Sequence, residues 1–250
     1  MTDEPHLDWP GCFNVRDLGG LPAAGGRRTR RGAIVRADSL GRLTEQGWQA
    51  LVAHGVRTVV DLRNDEERIE DAAPRPSEIV TVHVPLDGTN DRSFWKPIEE
   101  TAEFGTPLYY RAHLMRKPEL SVAAIAAIAR AQPGGVVFHC VGGRDRSGQI
   151  AMLLLSLAGV AAEAIVADYE LSQERLAGLF AAMGREDEGA EIAAFLAERG
   201  TSTAEVIATT LSSMDLEATL RAGGMTDEDL AALRERMLEP APAGGSTFTS

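Results

Sequence analysis

The chain is poor in cysteine: Cys12 and Cys140 are the only two in 250 residues. So few thiols exclude a disulfide framework and fit a reduced, intracellular setting. Long apolar runs are missing as well. No stretch approaches the roughly 20 residues that a bilayer span needs, and the acidic, polar start from Met1 to Pro10 has no apolar core of a secretory signal. These absences predict a protein without stable membrane insertion, cytoplasmic or exported without a cleavable signal peptide. Positive charge is scarce: 25 Lys and Arg face 37 Asp and Glu, a formal net charge of −12. Such a surface argues against a nucleic-acid partner. His6, His54, His83 and His113 show no metal-ligand spacing.

What is present is enough apolar material, 44% of residues, to bury a large core. The pattern predicts one catalytic domain over residues 1–239 and a disordered tail over 240–250, where periodicity is lost. Strand-like Ala33 to Arg36, helical Thr44 to Ala53, strand-like Arg57 to Leu62 and strand-like Glu78 to Pro85 alternate as βα units do. An Ala-rich helix from Leu120 to Ala131 stops at Pro133-Gly134-Gly135, and Val136 to His139 reads as a buried central strand. Ser147 to Gly159 is apolar nearly all round, as a buried helix is. Helical patterns follow over Ala161 to Met183, Ala190 to Arg199, Thr203 to Leu220 and Thr226 to Leu238. The fold class is therefore α/β, with a short, mostly parallel central sheet flanked by helices and a helical C-terminal addition.

The junction between the central strand and the buried helix reads His139-Cys140-Val141-Gly142-Gly143-Arg144-Asp145-Arg146-Ser147-Gly148. A thiol reacts as its thiolate, and an isolated cysteine is mostly protonated at neutral pH. Converging loop amides, the positive end of the following helix, Arg144 and Arg146 all favour the anion. The same donors suit a phosphate. Gly142 and Gly143 let the backbone approach it, Val141 to Arg146 surround its oxygens, and Arg146 can grip two of them at once. Ser147 is placed to hydrogen-bond the sulfur, and His139 to orient the loop from the strand end.

His-Cys-x5-Arg-Ser in this setting resembles the signature loop of the cysteine-dependent protein-tyrosine and dual-specificity phosphatases. It is similar above all to a bacterial tyrosine phosphatase B-like branch, whose loop reads His-Cys-x-x-Gly-Lys-Asp-Arg-[Thr/Ser]-Gly. Asn14 to Gly20, Arg36 to Leu40, Val60 to Arg63 and Ala167 to Ser172 resemble further stretches of that branch, in the same order. The resemblance implies a cysteine-phosphatase fold and hydrolysis of a phosphate monoester through a phosphocysteine on Cys140, with no metal or organic cofactor. It also implies a phosphorylated protein substrate, phosphotyrosine first, with dual specificity or a phosphoinositide as alternatives. The chain departs from the branch at Arg144, where the branch's Lys is associated with phosphoinositides. A catalytically silent phospho-residue binder is the further alternative; retention of Cys140, Arg146 and Ser147 speaks against it.

Such a reaction needs an acid for the leaving oxygen. Two carboxyls compete. Asp87 follows the strand-like Val82 to Pro85 and has Asp91 close behind it; Asp145 lies inside the loop between two arginines, which favours its ionised form. Asn14, Arg16 and Asp17 read as a turn with a buried ion pair beneath the loop, and Asp61 with Arg63 as an ion pair shaping the sheet edge. Residues 162–199 read either as an amphipathic helical pair packed on the sheet or, by the resemblance, as a lid over the site.

Overall fold

A computed structural model of the chain describes residues 5–68 and 70–241. Its sheet has five strands: β1 (Arg16–Asp17), β2 (Ile34–Ala37), β3 (Val56–Asp61), β4 (Val80–His83) and β5 (Gly135–His139). Their spatial order is β1-β2-β5-β3-β4. β1 runs antiparallel to β2 and every other pair is parallel. Helices α1 (Glu45–Ala53), α2 (Arg92–Glu100), α3 (Tyr110–Arg116) and α4 (Pro118–Ala129) precede β5. After it come α5 (Asp145–Leu157), α6 (Ala162–Ala182), α7 (Gly189–Glu198), α8 (Thr203–Ser213), α9 (Leu216–Ala222) and α10 (Asp227–Met237).

Alternation along the strands sends side chains to two cores. Ile34, Val136 and Phe138 join one cluster with Ile125 of α4, Leu153 of α5 and Leu233 of α10. Val35, Val59 and Val137 join the other with Trp48 and Leu51 of α1. Helices therefore cover both faces, and the central strand is wholly buried.

Caps set the helix starts. The Thr44 hydroxyl accepts from Gly47 N at 3.1 Å, and the Thr226 hydroxyl from Asp229 N at 3.1 Å. One expected helix is two: between α8 and α9 the chain is extended at Met214, and Asp215 caps α9 by accepting from Ala218 N at 2.9 Å. α2 and α3 were not read from the sequence. α2 has only 9 residues with Pro97 within it and α3 only 7, so both are too short for a helical period to stand out. Of the expected tail, residues 242–250 lie outside the described residues.

Register decides where the site falls. Ala37 of β2, His139 of β5 and Asp61 of β3 are paired across the sheet, so three parallel strands end level. Loops leaving those ends converge at the carboxyl edge of the sheet, where open α/β sheets hold their ligands.

Candidate active site

The chain leaves β5 into the loop at Cys140, which is 2% exposed, and turns into α5 at Asp145. Four successive carbonyls of the turn, Val141 to Arg144, are held by donors. Ser39 N donates to Val141 O at 2.9 Å, and Asn14 Nδ2 to Gly142 O at 2.9 Å. Arg36 Nη2 donates to Gly143 O at 2.6 Å and to Arg144 O at 3.2 Å. In a planar trans peptide the N–H points opposite to its carbonyl. The amides of Gly142, Gly143, Arg144 and Asp145 therefore turn together to the other side. Gly143 makes this path passable: its φ is +67°, and a Cβ there would lie 2.6 Å from the Ala37 carbonyl.

The supports are themselves supported. Asp38 accepts from Asn14 N at 3.0 Å and Phe13 N at 3.1 Å, and burial lifts its carboxyl to about 6 against those bonds. Arg16 donates through Nε to Asp168 Oδ1 at 2.7 Å and through Nη1 to Asn14 Oδ1 at 2.7 Å; Arg36 Nη1 reaches Asp168 Oδ2 at 2.5 Å. Burial raises the cost of charge on Asp168, but the two guanidinium groups outweigh it and hold its carboxyl below the ordinary range. Arg16 is pulled down to about 10 by burial and by Arg36 beside it.

Asp168 is thus the hinge pin of a buried three-residue ion cluster. Asp168→Ala should lower stability by about 3–5 kcal/mol, because two buried guanidinium groups lose the carboxylate they share. Its stabilisation is complete above the ordinary carboxyl pKa and fades as the pH falls through the depressed one. Denaturant melts at pH 7 and under acid conditions check both: the wild-type advantage over the variant should shrink in acid.

The sequence expectation for the Asn14-Arg16-Asp17 stretch needs a correction. Neighbouring strand residues point to opposite faces, so Asp17 does not pair with Arg16 or reach the loop. Its oxygens accept from Gly19 N at 2.8 Å and Gly32 N at 2.7 Å, and His54 Nε2 stands 3.1 Å away. Asn14 and Arg16 do lie behind the loop, and the ion-pair partner of Arg16 comes from α6. Asp61 and Arg63 do pair, at 2.8 Å through Nη2. But β3 is an interior strand, so the pair closes a strand end rather than a sheet edge. Burial disfavours the Asp61 carboxylate, yet the Arg63 bonds and His139 bring it down to about 2.

His139 Nδ1 lies 3.1 Å from Cys140 O, so that nitrogen carries the proton and donates to the carbonyl; Nε2 sits 3.7 Å from Asp61 Oδ1. Burial pushes this imidazole down to about 4, leaving it neutral. The expected bond from Ser147 to the sulfur is not made: the Ser147 hydroxyl is buried without a hydrogen-bond partner among the described residues.

Arg146 sits in the first turn of α5, 7% exposed. Its Nη2 donates to Glu67 Oε1 at 2.6 Å and its Nη1 to Glu67 Oε2, with Asp87 Oδ2 3.3 Å from Nη1. Burial opposes the charge, but Glu67, Cys140 and Asp87 keep it firmly protonated. Glu67 escaped the sequence reading. Asn64 with an acid three residues on has the spacing of a capped turn, and that signal could have drawn attention to it.

The two acid candidates differ. Asp87 is 3% exposed; burial raises its carboxyl above the ordinary value, against the pull of Arg146 and of Asn64, whose Nδ2 donates to Oδ2 at 2.8 Å. Asp87 O accepts from Trp95 Nε1 at 2.9 Å and Lys117 Nζ at 3.0 Å. Asp145 instead accepts from Arg144 Nε at 3.2 Å, and Arg144 Nη2 goes on to Gly105 O at 3.1 Å. The Arg144 side chain is therefore engaged with Asp145 and Gly105 rather than solvated. Asp91 caps α2 and pairs with Arg116 at 3.1 Å. α6 lies across the loop: a Cβ on Gly142 would stand 3.4 Å from Leu176, and one on Gly148 2.5 Å from the Tyr169 ring. A cavity of about 220 Å³ opens between α6, α7 and Arg144.

A tyrosine phosphatase family model matches residues 7–239. A protein of Cupriavidus necator that carries the name tyrosine-protein phosphatase provisionally is 33% identical over 169 residues, 65% of this chain and 61% of its own. The tyrosine-protein phosphatase of Nostoc commune is 35% identical over 148 residues, 58% of this chain and 50% of its own. The triple specificity protein phosphatase PtpB of Mycobacterium tuberculosis is 26% identical over 194 residues, 66% of this chain and 68% of its own. The chain thus spans between half and two thirds of the length of the first two. The family match runs from before β1 through α10, well beyond the loop itself, and on that extent the chain belongs to the tyrosine phosphatase family.

Proposed function

We propose that this chain hydrolyses phosphate monoesters, phosphotyrosine in proteins first, through a phosphocysteine on Cys140. The observation that carries the reading is the loop itself: carbonyls tied back to Ser39, Asn14 and Arg36 leave a cup of amides at the base of α5 beside Cys140 and Arg146. Amides of Val141 to Arg146 and the helix end take the equatorial oxygens of the phosphate, while the Arg146 fork exchanges carboxylate oxygens for phosphoryl oxygens. The planar fork suits both partners equally, so Glu67 pre-sets its orientation before substrate arrives.

In the first step the Cys140 sulfur attacks phosphorus, the ester P–O bond breaks, and Asp87 gives its proton to the departing oxygen. In the second, water attacks the phosphocysteine, Asp87 takes the proton back, and the sulfur leaves. Burial equips Asp87 for the first half, since a raised carboxyl keeps more of its proton near neutral pH. Asp145, committed to Arg144, orders the loop. Ser147 is placed to turn its unpartnered hydroxyl to the sulfur when that sulfur carries the phosphoryl group, and His139 holds the strand end through the Cys140 carbonyl.

The test is hydrolysis of two aryl esters without added metal. Asp87→Asn should lose about 10²-fold or more in kcat on phenyl phosphate, whose leaving group needs the proton, and far less on a dinitrophenyl ester. Because Asp87 must be protonated, wild-type turnover of the phenyl ester falls as the pH rises through its raised value, and this limb should vanish in the variant. Equal losses on both esters, or the same behaviour from Asp145→Asn instead, would move the acid role away from Asp87.

A further inference from the structure

We propose that Asn64 is a positioning residue for the proton-donating step, holding Asp87 so that the transferable proton sits on Oδ1. The inference rests on the phosphatase reading above and adds to it the residue that aims the acid.

Asn64 precedes the short turn Asp65–Glu67 that follows β3. Its Nδ2 donates to Asp87 Oδ2 at 2.8 Å, and Arg146 Nη1 stands 3.3 Å from the same oxygen. Two donors converge on one oxygen of the carboxyl. A hydrogen-bond donor cannot share a lone pair with an acid proton, so the neutral form carries its proton on Oδ1. The main chain of Asp87 is clamped separately, through its carbonyl, by Trp95 and Lys117. Those two fix where the residue sits; Asn64 and Arg146 fix how its carboxyl turns.

Asn64 also joins the acid to the arginine clamp. Its N–H donates to Glu67 Oε2 at 2.8 Å, Glu67 N donates back to Asn64 O at 3.2 Å, and the Glu67 carboxylate holds Arg146. Substrate that draws Arg146 from Glu67 therefore leaves Asp87 with Asn64 as its steady partner. The titratable and charged groups facing Asp87 are Arg146 and Asp145 from α5, Glu67 from the turn, Lys117 from the α3–α4 junction, and Tyr109 just before α3. Among these the Asn64 amide favours the carboxylate form, so it weakens proton retention while improving aim.

This opposition gives a signature that a scaffold role lacks. In Asn64→Leu, kcat on phenyl phosphate should fall about tenfold to a hundredfold while dinitrophenyl phosphate loses less than about threefold, with KM nearly unchanged on both. The basic limb of the phenyl ester profile should move to higher pH, because the bond favouring the carboxylate is gone. Asn64→Asp, which keeps the turn but sets a carboxylate against Asp87, should move that limb further in the same direction. Equal losses on both esters with the limb in place would overturn the inference and leave the phosphatase reading standing. A wild-type chain that cleaves neither ester would overturn both, and thermal melts of each variant separate either outcome from misfolding.

Discussion

Cys140→Ser should abolish turnover, with kcat down by about 10⁴-fold or more, while a phosphotyrosine peptide still binds. The two effects separate because the structure divides the labour. In the proposed mechanism, binding rests on amides oriented by Ser39, Asn14 and Arg36 and on Arg146, none of which involves the sulfur's chemistry. In the same mechanism, attack on phosphorus rests on the sulfur alone. A serine hydroxyl in its place would need a base to take its proton, and the adjacent imidazole is unsuited. His139 Nδ1 is spent on the Cys140 carbonyl and Nε2 faces Asp61 at 3.7 Å. Calorimetric titration of the variant beside its aryl phosphate assay reads both halves. Loss of binding together with turnover would place the thiol in the scaffold of the loop.

Arg146→Lys should cost about 10²- to 10³-fold in kcat, although the charge is kept. The wild-type guanidinium bonds both oxygens of Glu67 and lies 3.3 Å from Asp87, a planar reach that one ammonium cannot copy. In the transition state charge spreads over the equatorial oxygens, and a fork holding two of them stabilises it more than a point charge does. The loss should therefore fall mainly on kcat, with a smaller rise in KM. Inhibition by vanadate, which mimics the five-coordinate geometry, should weaken by a similar factor. A variant with wild-type kcat and a raised KM alone would mean that Arg146 only captures substrate.

The parallel strands and the loop were legible because each is written locally. Val136 to His139, the glycine pair and the apolar α5 segment are contiguous, and their spacing carries the geometry. The supports were not legible for the opposite reason. Arg146 meets Glu67 across 79 positions, and Arg16 meets Asp168 across 152. A sequence pattern shows that Arg36 and Asp168 lie in notable stretches without saying that they face each other. Asp17 shows the hazard in reverse: next to Arg16 in sequence, it belongs to the other face of the strand and binds Gly19, Gly32 and His54. The two acid candidates show both cases: Asp87 is acted on by burial and by Asn64, 23 positions away, which no local pattern reveals, whereas Arg144 stands next to Asp145 in the chain.

The central claim is that the phosphoryl group passes through the sulfur at the base of the amide cup. Rapid acid quench of the wild-type enzyme during turnover of an aryl phosphate, followed by peptide mass spectrometry, tests it most directly. The account predicts a phosphoryl adduct on the peptide bearing Cys140, formed in a burst with release of the phenol and absent from Cys140→Ser. Steady turnover with no adduct at that position, or with the adduct on another side chain, would contradict it.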